Sequence, residues 1–233
     1  MIDYRIHEDT ARITFAAPST ANAITVAMMQ DYIQALEAAQ TSGARFLVID
    51  SKGDDFTVGR DQKEKGHGLT RLQSLNLILR ANAALRAFEG VSIALIRGRA
   101  LGFGSGISLH STISIAADNA TFGFDEIAHE LAPLVIVAYA PYFIAPRIAQ
   151  ELVITGRPVS AQEAREIGLT SRVVVADSLD EAAESLIESL RGRHQGAIRL
   201  LRKYHESQAA YPSDAVLQDA IAQLSDWIEA GKP

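Results

Sequence analysis

Two buried-type apolar runs each empty into a glycine-rich loop, and this repeated pattern constrains the chain more than any other feature. Arg45-Phe46-Leu47-Val48-Ile49-Asp50 leads into a long loop, Ser51 to Gly68, that contains Phe56-Thr57-Val58-Gly59-Arg60-Asp61-Gln62-Lys63-Glu64. Val91-Ser92-Ile93-Ala94-Leu95-Ile96 leads into Gly98-Arg99-Ala100-Leu101-Gly102-Phe103-Gly104-Ser105-Gly106. Short continuous apolar runs bounded by turn residues read as strands buried on both faces, which belong in parallel sheets with helical crossovers. Glycine at the end of such a strand permits a tight turn and a close approach of backbone to ligand. Where a helix begins after the loop, its first N–H groups have no partner in the helix. Two such loops side by side can aim two N–H groups at one oxygen, the geometry of an oxyanion hole. Neither loop is a nucleotide fingerprint: position 107 is Ile where a third glycine is required, and no P-loop Lys-Ser/Thr pair follows.

The remaining pattern alternates. Arg12 to Phe15 reads as a strand. Thr25 to Ala39 reads as a helix with Thr25 as N-cap and Gly43 beyond its end, and Leu69 to Phe88 as another. A short helix is expected near Ile107 to His110, with strands at 112–116 and 120–123. After Ala132 the pattern is mostly helical, apart from Arg172 to Val175. Leu179–Leu190, Ala197–Ala209 and Ser213–Glu229 read as helices. Strands crossed by helices, then a helical tail, give an α/β core with a helical C-terminal part. At 233 residues the chain has room for one large domain, or one domain plus an appendage, at roughly 150 residues per domain. The boundary is expected near 190, with a core over 1–190 and a helical region over 191–233.

Charge and composition exclude several classes. Twenty-two Lys and Arg against 28 Asp and Glu leave a net charge of −6, which argues against non-specific nucleic-acid binding. There is no cysteine, so disulfides, thiolate metal sites and a Cys nucleophile are excluded. The longest uncharged run, Leu131 to Pro146, contains three prolines and falls short of the roughly 20 apolar residues of a membrane helix. The start of the chain carries no apolar signal-peptide core, so a soluble cytoplasmic protein is expected. Ser105, Ser108, His110 and Ser111 crowd one stretch, but no Gly-x-Ser-x-Gly elbow occurs, and capping and packing account for them. No metal spacing of the His-x-x-x-His kind occurs.

In this order and separation the motifs resemble the crotonase, or enoyl-CoA hydratase/isomerase, superfamily. The resemblance rests on Asn22-Ala23, Phe-x-x-Gly-x-Asp at Phe56–Asp61, Arg-Gly-x-Ala-x-Gly at Arg97–Gly102 and Phe-Gly-x-x-Glu at Phe122–Glu126. Its longest piece is Leu152-x-x-Thr155-Gly156-Arg157-x-x-Ser160-Ala161-x-x-Ala164, continued by Gly168-Leu169-x-Ser171-x-Val173. It implies a crotonase-like α/β fold, a repeated ββα spiral core with a helical C-terminal trimerisation region, assembled as a homotrimer or hexamer. It implies an acyl-CoA thioester as substrate, with no separate cofactor because CoA is part of that substrate, and no nucleic-acid or membrane partner. By matching motifs, the backbone N–H groups of Arg60 and Phe103 would hold the thioester oxygen. Val58, Gly59, Asp61, Lys63, Gly102 and Gly104 would border the CoA thioester, with Lys63 toward the adenine end. Arg191, Arg193, Arg199, Arg202 and Lys203 are further cations of the kind that reach CoA phosphates.

One departure decides the chemistry the resemblance implies. Hydratases of this family use two glutamates to hold and split water. Glu126 matches the second, while Gly106 stands at the first. A single carboxylate can still take an α-proton beside a thioester and return it two carbons away, so double-bond isomerisation is favoured over hydration. His129 and Glu130, three and four residues after Glu126, are candidates for the missing group if the stretch is helical, and Asp125 is expected to point elsewhere. Thioester hydrolysis, decarboxylation, and acyl-CoA binding without catalysis are the alternatives.

Overall fold

The structure, a computed structural model, describes residues 1–65, 68–208 and 211–231. Gly66 and His67 of the first glycine loop, Ala209 at the expected end of a helix, and Lys232 and Pro233 lie outside the described residues.

The chain opens with a hairpin, β1 (Ile2–His7) and β2 (Thr10–Phe15), followed by α1 (Val26–Thr41), β3 (Phe46–Ser51), α2 (Arg71–Ala87) and β4 (Val91–Ile96). Then come β5 (Arg99–Leu101), α3 (Phe103–His110), β6 (Ile113–Ala117) and β7 (Thr121–Gly123). The second half holds α4 (Leu134–Phe143), α5 (Pro146–Thr155), β8 (Val159–Ser160), α6 (Ala161–Glu166), β9 (Arg172–Val174), α7 (Leu179–Arg191), α8 (Gln195–Gln208) and α9 (Asp214–Glu229). The main sheet has the order β1-β2-β3-β4-β6-β9, and a smaller sheet the order β5-β7-β8. All pairings in the main sheet are parallel except the β1–β2 hairpin.

The topology is a spiral. Each turn lays one strand in the main sheet, one in the small sheet, and then a helix: β4-β5-α3, then β6-β7 and the helices after it. The turn before them repeats the plan in reduced form, since after β3 a single bridge joins Thr57 to Ala100 of β5. β3 and β4 are buried along their whole length, which explains their unbroken apolar sequence. Phe15, Tyr32 and Phe56 meet in the core between α1 and the sheet, with Phe15 and Phe56 edge to face at 5.6 Å.

Local chemistry sets the element ends. Thr25 accepts the Met28 N–H and starts α1, Thr70 and Gln73 form a capping box at α2, and Ser160 caps α6. Gly156, at φ +62°, ends α5 in the left-handed conformation that glycine adopts without strain.

Four elements depart from the sequence expectation, two of them as short strands: β5 (Arg99–Leu101) lies inside the expected glycine loop, and β8 (Val159–Ser160) interrupts the stretch read as helical. α3 begins at Phe103, not near Ile107, so Gly104 and Gly106 lie inside the helix rather than in a loop. Glycine is a poor helix former, but this helix is wholly buried and Gly104 faces Thr57 too closely for a side chain: a Cβ there would sit 2.7 Å from Thr57 Cγ2. Packing therefore overrides propensity. The hairpin strand β1 is a further departure, because its two-residue turn, Glu8-Asp9, holds Glu8 at φ +51° without glycine or asparagine to advertise it.

Asn22 stitches the two halves of the first spiral turn together. It is fully buried at φ +54°, a conformation asparagine tolerates. Its Oδ1 accepts the Ala17 N–H at 2.8 Å, and its Nδ2 donates to Lys52 O and Asp55 O at 2.9 Å each. Substitution Asn22→Ala removes the partner of three part-buried backbone groups, and a group that water can reach costs less than the roughly 1–3 kcal/mol of a fully buried one. We expect a total loss of about 2 kcal/mol in urea unfolding, with the loop carrying Gly59 the first region to lose hydrogen-exchange protection.

Candidate active site

The two glycine loops cross at the mouth of a pocket. Thr57 N donates to Arg99 O and Leu101 N to Thr57 O, both at 3.0 Å. Gly59, at φ +82°, lies so close to the second loop that a Cβ would sit 3.0 Å from Leu101 O and 3.9 Å from Phe103 N. The first loop is braced from its other side by Ile24 N to Gly59 O at 2.8 Å and Asp61 N to Ile24 O at 3.0 Å. Between these two bonds, Arg60 N is left without an acceptor among the described residues. So is Phe103 N, the first N–H of α3, for which the helix itself supplies no partner. Two free N–H groups thus stand on adjacent, rigidly hydrogen-bonded loops.

Both side chains at these positions have partners of their own. The Phe103 ring turns into the core, edge to face with Tyr32 at 6.1 Å. The Arg60 guanidinium reaches along α2 to Ser74, donating to its Oγ at 3.0 Å. Arg60 Nε is buried without a partner, and burial pulls the group below its ordinary range, opposed by the charges of Glu64 and Asp61.

Glu126 stands across from the loops, on a 3₁₀ turn (Asp125–His129) that follows β7. Its Oε1 nestles against Gly102: at φ +51°, a Cβ on Gly102 would lie 2.6 Å from that oxygen. Its Oε2 is buried with no hydrogen-bond partner. Burial pushes the carboxyl up to about 7, opposed by a hydrogen bond from its own backbone and aided by the nearby charge of Asp125. The other carboxylates lining the pocket are differently placed. Asp125 faces His129 at 3.4 Å, Asp61 accepts the Lys63 N–H at 2.9 Å, and Glu64 accepts the Val26 N–H at 2.7 Å. Glu126 alone among them presents a buried, unpartnered oxygen.

Of the residues singled out from sequence, Val58, Gly59, Arg60, Asp61, Gly102, Phe103, Glu126 and His129 line this one pocket. Gly104 does not; it is buried behind the loop against Thr57. Lys63 does not either, and stands exposed just beyond. Asp125, expected to point away, lines the pocket and engages His129, whose side chain is 55% exposed. Glu130 is exposed at φ +55° and closes the turn. The C-terminal cations mostly serve the fold within this chain: Arg191 binds Asp9 at 3.0 Å and Arg202 donates to Phe88 O and Gly90 O. Arg199 lies 3.9 Å from Glu89. The serines of α3 are structural, with Ser105 Oγ bonded to Ala100 O at 2.7 Å and Ser108 Oγ to Leu169 O at 2.7 Å.

The lining expected from the sequence, in the stretch 62–77 and in the apolar helix that begins at Leu134, is supplied by Arg71 and Ser74 of α2 and by Tyr139 of α4. Leu224 and Ile228 of α9 also contribute and were not expected. Gly106 offers no side chain, and the space before it is taken: a Cβ there would lie 2.8 Å from the hydroxyl of Tyr139. The sequence does not single out Tyr139, because the same apolar helix carries a second hydroxyl at Tyr142.

The whole chain matches known proteins. Residues 5–230 match the family model described as enoyl-CoA hydratase/isomerase. The chain is 32% identical over 198 residues to a Bacillus subtilis protein provisionally named enoyl-CoA hydratase/isomerase YngF, covering 83% of this chain and 76% of that one. Among solved structures, it superposes on an enoyl-CoA hydratase from Mycobacterium avium with a TM-score of 0.82 at 27% identity, covering 99% of this chain and 98% of that one. An enoyl-CoA hydratase from Mycobacterium avium subsp. paratuberculosis K-10 has the same fold, with a TM-score of 0.89 at 20% identity over 98% of this chain and 93% of that one. No helix among the described residues is long and apolar enough to cross a membrane.

Burial of Glu126 has a stability consequence whose sign follows from its raised value. Between about 4.5 and about 7 the folded chain holds a proton that the unfolded chain has released, so stability falls as pH rises through that window. Glu126→Gln removes the titration. The variant is expected to be more stable than wild type at pH 8, by up to ~3 kcal/mol, with the gap closing toward pH 4.5 in urea unfolding.

Proposed function

The chain belongs to the enoyl-CoA hydratase/isomerase family, and from that premise we propose that it moves a double bond within an acyl-CoA thioester, taking a 3-enoyl to a 2-enoyl chain. The observation that carries this reading is Glu126, a half-buried residue whose Oε2 is buried and unpartnered, in the same pocket as the two N–H groups without acceptors, with glycine at position 106.

Glu126, as carboxylate, takes a proton from C2 of the 3-enoyl thioester. The C–H electrons pass into the thioester carbonyl and the adjoining double bond, giving a dienolate. The N–H groups of Arg60 and Phe103 hold the dienolate oxygen. A donor of this kind typically contributes about 2.7–4 kcal/mol to the transition state, and both are already fixed by the loop hydrogen bonds, so no reorganisation accompanies reaction. A proton then enters at C4, the double bond settles between C2 and C3, and the carbonyl re-forms. A carboxyl tuned to about 7 is ionised enough to accept the first proton and acidic enough to release it.

On this reading Val58, Gly59, Asp61 and Gly102 border the thioester, and Lys63, exposed beside the pocket, is available to the anionic CoA moiety. A homotrimer or hexamer is part of the proposal, supported by Leu200, Leu201 and Tyr204, which stand exposed on α8 and would be covered by a second copy. Hydration is the second reading, favoured by the names of the relatives, and needs a further group to share the water with Glu126.

Purified protein is to be offered a 3-enoyl-CoA, and separately a 2-enoyl-CoA in water, with products followed chromatographically. We expect isomerisation of the first, little hydration of the second, and a fall of about 100-fold or more in isomerase kcat for Glu126→Gln. Rapid hydration with no isomerisation would overturn the reading.

A further inference from the structure

We infer that Tyr139 is a second catalytic group, a phenol that delivers the proton to C4 from the place left open by Gly106. The inference rests on the assignment of Glu126 as the base that takes the C2 proton.

Three observations converge on the hydroxyl. First, it occupies the space a side chain at position 106 would need, 2.8 Å from where the Cβ would stand, with the ring carbon Cζ at 3.8 Å. Glycine at 106 and tyrosine at 139 therefore fit as a pair. Any side chain at 106 would drive the hydroxyl out. Second, Tyr139 lines the same pocket as Glu126, Arg60 and Phe103, although the residue as a whole is only 2% exposed. Tyr139 thus borders the cavity with only a small part of its surface. Third, it feels Glu126 directly: burial, the Glu126 charge and Tyr211 hold the phenol above its ordinary range. A phenol so held is protonated in the resting enzyme, and it can release its proton only if Glu126 replaces it as it leaves.

The ring is fixed from behind. His110 packs edge to face against it at 4.6 Å, and Phe143 at 6.4 Å. His110 is itself pinned, its Nδ1 at 2.7 Å from Gly106 O and its Nε2 at 2.8 Å from the Tyr211 hydroxyl. Burial pushes His110 down to about 4, so the ring is neutral with a single N–H. The carbonyl can only accept, which puts that proton on Nδ1 and makes Nε2 the acceptor from Tyr211. Both nitrogens are thus committed, and His110 positions Tyr139 without exchanging protons with it.

The step balances within the pocket. Glu126 has taken the C2 proton, and the dienolate is held by the two N–H groups. Electrons move from the enolate oxygen out to C4, which forms a bond to the hydroxyl proton of Tyr139. As that O–H bond breaks, the hydroxyl oxygen takes the proton carried by Glu126 in the same step, so no phenolate is left in the pocket and both groups return to their starting states.

The test is isomerisation of a protiated 3-enoyl-CoA in D₂O by wild type, Tyr139→Phe and Glu126→Gln, with deuterium at C2 and C4 read by NMR. Phenylalanine keeps the ring contacts with His110 and Phe143 and removes only the hydroxyl. The expected result for Tyr139→Phe is a kcat lower by about 100-fold or more with KM little changed. Exchange at C2 of the substrate persists in this variant, because Glu126 still takes the C2 proton and trades it with solvent, while delivery to C4 fails. Wild type both exchanges at C2 and turns over, and Glu126→Gln loses both. Wild-type kcat in Tyr139→Phe would overturn the inference alone. So would loss of C2 exchange together with turnover, since the damage would then lie at Glu126. Full activity in Glu126→Gln would overturn the reading beneath it as well.

Discussion

The close crossing of two backbone loops is the constraint on which the rest of the site depends. Gly59 approaches Leu101 O at the limit a Cβ would tolerate, and Gly104 approaches Thr57 well inside it. Only residues without a side chain let these segments exchange the hydrogen bonds between Thr57 and Arg99 and between Leu101 and Thr57. Those bonds fix where Arg60 N and Phe103 N stand. Asn22 holds the same crossing from beneath, tying Lys52 O and Asp55 O to the turn before α1. The side chains at the donor positions are free to vary because the donors are backbone, which is how a site can carry arginine and phenylalanine there. Rigidity is the functional point, since donors already in place cost nothing to organise during reaction.

Glu126 shows the opposite economy. A carboxylate with a buried, unpartnered oxygen destabilises the fold at neutral pH, and nothing in the pocket relieves it. Asp125, Asp61 and Glu64, nearby, all have partners. A group that weakens the fold while its neighbours are satisfied is the pattern expected of a functional residue. Glycine at 102 completes the arrangement by leaving room for Oε1. The glycines of this region therefore do three separate jobs: Gly59 and Gly104 permit loop contact, Gly102 seats the carboxylate, and Gly106 admits the Tyr139 hydroxyl.

Much of this was legible in the sequence, for identifiable reasons. β3 and β4 are buried on both faces, so their apolar runs are unbroken, and Thr25 and Gly43 bracket α1 as capping chemistry requires. The crotonase-like fold, the pairing of the two glycine loops and the presence of Glu126 in their pocket followed from motifs. The hidden parts depend on tertiary contact. The start of α3 was masked because Gly104 and Gly106 read as loop residues until Thr57 and Tyr139 are seen against them. β1 was masked by a hairpin turn at Glu8-Asp9 without the usual residues. Tyr139 lies 33 positions beyond Gly106 in numbering, and Leu224 and Ile228 reach the pocket from the last helix. No local pattern announces such meetings. Lys63 and Gly104, conversely, belong to the motif without lining the pocket, because a motif records chain path as well as contact.

The central claim is that a carboxyl raised by burial acts as the base beside two fixed N–H groups, and the pH dependence of kcat/KM for a 3-enoyl-CoA tests it most directly. Because kcat/KM reports ionisations of the free enzyme, the account predicts activity that rises with pH along a limb centred near 7, the value set for Glu126 by its surroundings. A limb at the ordinary carboxyl value of about 4.5, or a profile flat through neutrality, would contradict it.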